Sequence, residues 1–342
     1  MGKVNSKSMH YSFKSKKKNR QHTSMNSFSS TSSTTSSSDI SHSSLSSQDQ
    51  PIPNDDELFH YVDNRKFYKW NEYLNYVYPV DNDETDRGQM QHFMYKHVWD
   101  GNFSSPIEQD LHSEFTRVLD VGCGSGTWIL DMASEYQNAQ FTGVDVAKLY
   151  PAEIKPQNVS FVQANVLVGL PFEDNTFDFI HMRFMLFAFT IKNWEIAINE
   201  LVRVCKPGGY IELVEKDILW FNEGPFCKGA RTVMADELRE KKNMEIIISP
   251  TLQKILSQHS NVNHDEKVVP LGEWGGKLGK LYRDLYGWGA KNLKKVMTDI
   301  GFSEVEWNET VDICLKQLQE RKGYDKIHRF WIQKKTFEEL KQ

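Results

Sequence analysis

The run Val118-Leu119-Asp120-Val121-Gly122-Cys123-Gly124-Ser125-Gly126 places glycines at three alternate positions behind a short apolar stretch. Glycine adopts backbone conformations that other residues resist and lets a ligand approach the main chain closely. An amphipathic stretch over residues 128–136 follows, so the run reads as a strand, a tight loop and the start of a helix. The first N–H groups of such a helix have no intrahelical partner and attract polar or anionic groups. Nineteen residues beyond Gly126, at the end of a second apolar stretch, stands Asp145. A carboxylate there can accept two hydrogen bonds from a ribose diol. Loop and acid together describe a site for a nucleoside-bearing ligand. The plain alternative is a glycine-rich turn that binds nothing. Agreement between strand, turn, helix and distal acid speaks against it.

These residues need a scaffold to position them. Residues 116–121, 141–146, 159–164, 177–182 and 210–214 are short apolar runs. A helical stretch over 194–205, with Ala197, Ile198, Leu201 and Val202 on one face, lies between the last two. It ends at Lys206-Pro207-Gly208-Gly209, a stop signal of basic residue, proline and glycine. Strands alternating with helices predict an α/β fold: a Rossmann-like, mostly parallel sheet with helices on both faces. Upstream, Leu58, Tyr61, Val62, Arg65 and Tyr68 fall at helical spacing, which predicts a helical N-terminal segment over 51–115. The domain carrying the motif then spans 116–342, and its C-terminal region reads as helical. Residues 277–300 turn Leu278, Leu281, Leu285, Leu293 and Val296 toward a core, and Ser303 with Glu306 forms a capping box. Residues 327–333 alternate weakly and predict an edge strand.

Residues 1–50 hold 18 Ser and 4 Thr and almost no aliphatic side chains, a composition that predicts disorder. They carry seven Lys and Arg against two Asp, whereas the remaining 292 residues carry 34 basic and 44 acidic side chains. An acidic body with a basic tail argues against a domain built around a nucleic-acid duplex. Cys123, Cys205, Cys227 and Cys314 are scattered and form no CxxC pair. Neither a disulfide framework nor a metal site is expected. The longest apolar stretch, 184–189, is too short to span a bilayer, and the N-terminus lacks a secretory apolar region. Met1-Gly2-Lys3-Val4-Asn5-Ser6 fits the N-myristoylation pattern at Gly2. Lys14, Lys16, Lys17, Lys18 and Arg20 would add the basic patch that a single acyl chain needs for anchoring. The competing readings are a chance Gly2, a solvated charge run or a nuclear-import patch. The expectation is a cytoplasmic protein, in part at the inner face of a membrane, with a nuclear location left open.

Spacing separates two ligand classes. A dinucleotide site prefers GxGxxG, with its third glycine at position 127. Here Thr127 stands there and the glycine is at 126, a GxGxG spacing that favours S-adenosylmethionine. Over about residues 75–300 the sequence resembles the class I S-adenosylmethionine-dependent methyltransferases, of the fungal type related to secondary-metabolism regulators. The resemblance rests on the stretch from Asp120 to Gly126, on Gly143-Val144-Asp145-Val146, on Val162-Gln163-Ala164-Asn165-Val166, on Phe177-Asp178-Phe179-Ile180-His181 and on Lys206-Pro207-Gly208-Gly209. Upstream it includes Tyr78-Pro79-Val80-Asp81, Glu84-Thr85-Asp86-Arg87 and Gln91-His92. It implies that Asp120, Gly122, Cys123, Gly124 and Gly126 surround the methionine moiety, with Asp120 near its amino group. It further implies that Asp145 and Val146 hold the ribose, while Asn165 and Val166 flank the adenine. Many relatives have Asp where this chain has Asn165. The amide oxygen still offers an acceptor.

On the substrate side, Arg183 and His181 follow the fourth strand, and His92 lies in a charged, aromatic segment that is read as a lid. The plain readings are an Arg183 paired to an acid, a hydrogen-bonded His181, a helix packed on the sheet edge, and a Cys123 that merely fills space. No general base is identified. An active methyltransferase on a small molecule or protein, a cofactor-binding regulator acting through partners, and a nucleotide-dependent oxidoreductase all remain. The loop spacing and Asp145 count against the third.

Overall fold

The computed structural model describes residues 59–62, 64–69, 77–336 and 338–339. Gly2 and the Ser-rich tail over 1–50 lie outside the described residues. The described chain opens with two strands, β1 (Phe59–Val62) and β2 (Arg65–Tyr68), then a helix, α1 (Asn82–Trp99). There follow β3 (Arg117–Val121), α2 (Thr127–Glu135), β4 (Gln140–Asp145), β5 (Val159–Gln163), β6 (Phe177–Arg183), α3 (Ile191–Val204) and β7 (Cys205–Lys216). The C-terminal part contains α4 (Pro225–Lys242), α5 (Ser249–Ser257), β8 (Val262–Pro270), α6 (Gly276–Asn292), α7 (Lys294–Ile300), α8 (Glu304–Glu320) and β9 (Tyr324–Gln333).

Seven strands form one sheet in the order β5-β4-β3-β6-β7-β9-β8. β3 to β7 run parallel, and β9 is antiparallel to both β7 and β8. The middle strands are near-continuous apolar runs because both faces are covered. Adjacent residues of β3 enter different cores. Val118 packs with Ile129, Met132 and Phe141 on the α2 side, and Leu119 packs with Ala197, Ile198 and Leu201 on the α3 side. α3 begins at Thr190, whose side chain accepts the Asn193 N–H at 3.3 Å. It buries Trp194, Ala197, Ile198, Leu201 and Val204 as one stripe. Burying an aliphatic or aromatic side chain of this size is worth about 1.5–3 kcal/mol, which fixes the helix to the sheet. β4 and β6 lie on opposite sides of β3, so the strand order reverses there. Such a reversal leaves a crevice at the carboxyl ends of the strands, where the loop after β3 sits.

The expected helical segment over 51–115 is corrected in part. Among its described residues it is helical only in α1 and in one 3-10 turn at Asp110–His112. Residues 59–68 form an antiparallel hairpin instead, with Val62 opposite Arg65. The loop is therefore two residues long, and Asn64 takes φ 61°, a conformation asparagine tolerates. The aromatic and β-branched content of Phe59, Tyr61, Val62, Phe67 and Tyr68 outweighs their chance helical spacing. The expected edge strand at 327–333 is also corrected. β9 is an interior strand, and the edge is β8, whose polar, exposed residues suit an unpaired margin. The predicted helix over 277–300 divides at Leu293 into α6 and α7, and the capping box at Ser303 and Glu306 is present. The C-terminal region thus adds two strands to its helices. No described helix is long and apolar enough to cross a membrane.

Candidate functional site

The loop between β3 and α2 is held from below by β4. The Val144 carbonyl accepts the N–H groups of Gly122 at 2.8 Å and Cys123 at 3.0 Å. Gly124 has φ +55°, and a Cβ built on it would meet no atom within 4 Å, so the loop opens there onto free space. Gly126, at the N-cap of α2 with φ +77°, lies against the Phe161 ring, which a Cβ would approach to 2.8 Å. Here the glycine is required for both conformation and space.

Asp145 closes the loop. Its Oδ2 accepts the Gly124 N–H and its Oδ1 the Ala147 N–H, both at 2.8 Å. Burial pushes its carboxyl up to about 6, so it is ionised at neutral pH. A carboxylate has about four acceptor positions. Two backbone donors leave lone pairs on both oxygens for a vicinal diol.

A cavity of about 290 Å³ lies over this loop. Of the residues singled out in the sequence, Gly122, Cys123, Gly124, Asp145, Val146, Asn165, Val166 and Arg183 line it. Asn165 uses its Oδ1 to accept the Leu167 N–H at 2.9 Å. Burial raises the Cys123 pKa, which keeps the thiol protonated and unreactive. Asp120, Gly126, His92 and His181 do not line the cavity. Asp120 is buried and shares a 2.8 Å hydrogen bond with His181 Nδ1, and the imidazole stacks on Trp128 with centroids 3.9 Å apart. Burial pushes the Asp120 carboxyl up to about 7 and the His181 pKa down. His92 ties α1 to α2: its Nε2 lies 3.1 Å from Asp131 Oδ2, which also accepts from Lys96 at 2.7 Å and Asn102 at 2.8 Å.

The upstream segment contributes differently. Asp81 caps α1 by accepting the Glu84 N–H and pairs with Arg65, joining the hairpin to the helix. Buried Glu84 pairs with Arg87 and accepts from Asn292 of α6 at 2.7 Å. This network sets Tyr78, Arg87 and Gln91 into the cavity wall.

Away from the glycine loop the cavity becomes aromatic and apolar, with Tyr78, Phe187, Trp220, Tyr282, Tyr286 and Trp307 in its wall. Two ionisable groups face this end. Lys216 is held by Tyr282 Oη at 3.2 Å and Asp325 Oδ2 at 3.4 Å, with its ammonium 4.1 Å from the Tyr286 ring centre. Glu215 uses one carboxylate oxygen to accept the Met185 N–H, and its buried Oε2 has no partner. Burial pushes this carboxyl up to about 8, opposed by the Met185 and Leu186 N–H groups and reinforced by Asp217. Met185 also abuts the loop, since a Cβ on Gly122 would lie 2.7 Å from its sulfur. Arg183 makes no hydrogen bond or ion pair with the described residues, and burial lowers its pKa to about 10. Its guanidinium lies 5.5 Å from the Phe184 ring centre and feels the Asp120 carboxyl without a direct contact, which leaves its N–H donors for an anionic group of a bound molecule.

Residues 118–209 match the family model described as a methyltransferase domain. Residues 118–209 of the chain form an S-adenosylmethionine-dependent methyltransferase domain. It is 29% identical over 176 residues to the secondary metabolism regulator LAE1 of Cochliobolus heterostrophus, a match covering 51% of this chain and 56% of that one. It is 33% identical over 144 residues to the N-methyltransferase verN of Clonostachys rogersoniana, covering 41% and 50%. It is 33% identical over 162 residues to the methyltransferase str3 of Strobilurus tenacellus, covering 45% and 57%. The chain thus spans about half the length of these curated relatives. Among solved structures it is similar to phosphoethanolamine N-methyltransferase 2 of Haemonchus contortus in complex with S-adenosyl-L-methionine. That match has 17% identity and a TM-score of 0.40, and covers 74% of this chain and 59% of the other.

S-adenosylmethionine is the cofactor of this domain class, and the methyltransferase domain fits it at an open glycine loop, a carboxylate with free lone pairs and a cavity of suitable size. Sequence reasoning missed Glu215 and the aromatic wall. One local signal for Glu215 existed: the apolar run 210–214 is interrupted and followed by acids at Glu212 and Glu215. Glu212 is satisfied by the Ser104 and Ser105 N–H groups, whereas Glu215 is not.

Proposed function

We propose that the chain methylates an apolar, ring-containing small molecule bound in the aromatic end of the cavity, with Glu215 accepting the proton of the nucleophile. The observation that carries this reading is continuity. One cavity joins Gly122, Gly124 and Asp145 to Glu215, Trp220 and Tyr286. The cofactor, when bound, supplies an electrophilic methyl group on a sulfonium. The residues of this chain do the rest. Asp145 and the open glycine loop fix one reactant, while the wall of Tyr78, Trp220 and Tyr286 fixes the other and excludes water. Alignment of this kind can supply a large part of the acceleration in a displacement reaction. Glu215, with its partnerless oxygen, takes a proton from an acceptor that arrives protonated. Tyr78, Arg87 and Gln91 in the cavity wall support reading α1 and the residues before it as a lid over the site. Relatives named as regulators favour a second reading, a cofactor-binding regulator. A formed acceptor chamber supports the catalytic one. Incubation with methyl-labelled S-adenosylmethionine and cell extract, split into protein, lipid and small-molecule fractions, tests it. Label should enter the small-molecule fraction and fall sharply in Glu215→Gln. Label confined to protein, or none, would overturn the reading.

A further inference from the structure

We propose that His264, Glu266 and His328 form a Zn²⁺ site on the β8–β9 margin of the sheet, distinct from the cofactor cavity. One nitrogen or oxygen atom from each residue lies within 4.8 Å of the others. The register explains why: Glu266 lies directly opposite His328, and His264 is two residues along the same face of β8. His264 Nε2 and His328 Nδ1 are 3.1 Å apart, and Glu266 Oε2 is 3.9 Å from the same His328 nitrogen. Tetrahedral zinc with nitrogen ligands at 2.0–2.1 Å sets ligand atoms about 3.3–3.4 Å apart. The two imidazole nitrogens lie close to that spacing, and rotation of the exposed Glu266 side chain closes the wider gap to its carboxylate.

The surroundings orient the ligands as metal sites require. His328 is buried, and its other nitrogen, Nε2, faces Asp217 Oδ2 at 3.6 Å. Asp217 is itself anchored by the N–H groups of Ile248 and Ser249 and by the Ser249 hydroxyl. A carboxylate behind a ligating imidazole fixes its tautomer and raises its basicity. The His264 ring stacks on Phe330 with centroids 4.3 Å apart. Glu266 Oε1 accepts from the Lys326 ammonium, leaving Oε2 for the metal. His264 and Glu266 are exposed, so water completes the coordination. Two imidazoles and one carboxylate suit zinc among the common divalent ions. His328 lies 64 residues beyond His264 and 62 beyond Glu266, and no cysteine is involved, so a search for cysteine pairs does not find the ligands.

Calorimetric titration of the untagged full chain with Zn²⁺, and visible absorption with Co²⁺, test the site. One equivalent should bind, at least tenfold more weakly in His264→Ala and in the double variant His264→Ala/Glu266→Ala. The Co²⁺ spectrum should be that of a four-coordinate nitrogen–oxygen site without thiolate bands. Because both substituted residues are exposed, these variants should bind S-adenosylhomocysteine as the wild type does. Absence of saturable binding, equal affinity in the double variant, or thiolate charge-transfer bands would overturn the proposal.

Discussion

Replacing Glu215 by Gln separates the proposed base from a merely structural acid, and its effect on stability can be worked out before any acceptor is known. The folded carboxyl titrates at about 8, against 4.5 for a free glutamate, with burial as the main cause. Below pH 4.5 it is protonated in both states and costs nothing. Between 4.5 and 8 the unfolded chain releases this proton while the folded chain keeps it, so stability falls as pH rises. At 1.36 kcal/mol per unit, the loss is on the order of 5 kcal/mol by the top of that window. Glutamine keeps an acceptor oxygen for the Met185 N–H and never ionises. Urea unfolding of wild type and Glu215→Gln at a series of pH values cancels the other titrating groups. The variant should gain on the wild type by several kcal/mol from pH 5 to 8.5, and the pH limb of the methyl-transfer rate near 8 should disappear with a loss of about 10²–10⁴-fold. Parallel stability profiles, or an unchanged rate profile, would refute both the buried ionisation and the catalytic role.

Asp145→Ala should weaken S-adenosylhomocysteine binding by about 1.5–3 kcal/mol per lost charged hydrogen bond, measured by calorimetry; equal affinity would move the ribose site elsewhere. Arg183→Met should leave the melting temperature nearly unchanged, because no hydrogen bond or ion pair is lost, while weakening binding of cofactor or acceptor; a clear drop in thermal stability would show that the guanidinium is paired. Hydrogen exchange should slow across α1 when S-adenosylhomocysteine binds, whereas protection confined to the glycine loop would make α1 a packing element. Gly2→Ala should release a membrane-bound fraction of the full chain into the soluble fraction in cells, and an unmodified wild-type N-terminus by mass spectrometry would remove the acylation proposal.

What the sequence by itself determined is local. Glycine spacing at 122, 124 and 126 and an acid at 145 identify a loop and its ligand class, because backbone freedom and a strand-end carboxylate act within one βαβ unit. The apolar runs locate the parallel strands for the same reason: each is buried on both faces, whatever its neighbours. The tertiary structure decided whatever depends on pairing between distant segments. Hairpin residues 59–68 carry both a helical spacing and a strand composition, and only the pairing of Val62 with Arg65 resolves the conflict. β9 is interior because β8, a polar strand with little signal of its own, covers its far side. His181 and His92 are excluded from the cavity by partners 61 and 39 residues away. Glu215 becomes chemically distinctive only because Met185 and the surrounding walls bury one oxygen with a donor and the other without. That asymmetry comes from desolvation at the meeting of several elements, which no single stretch of sequence encodes.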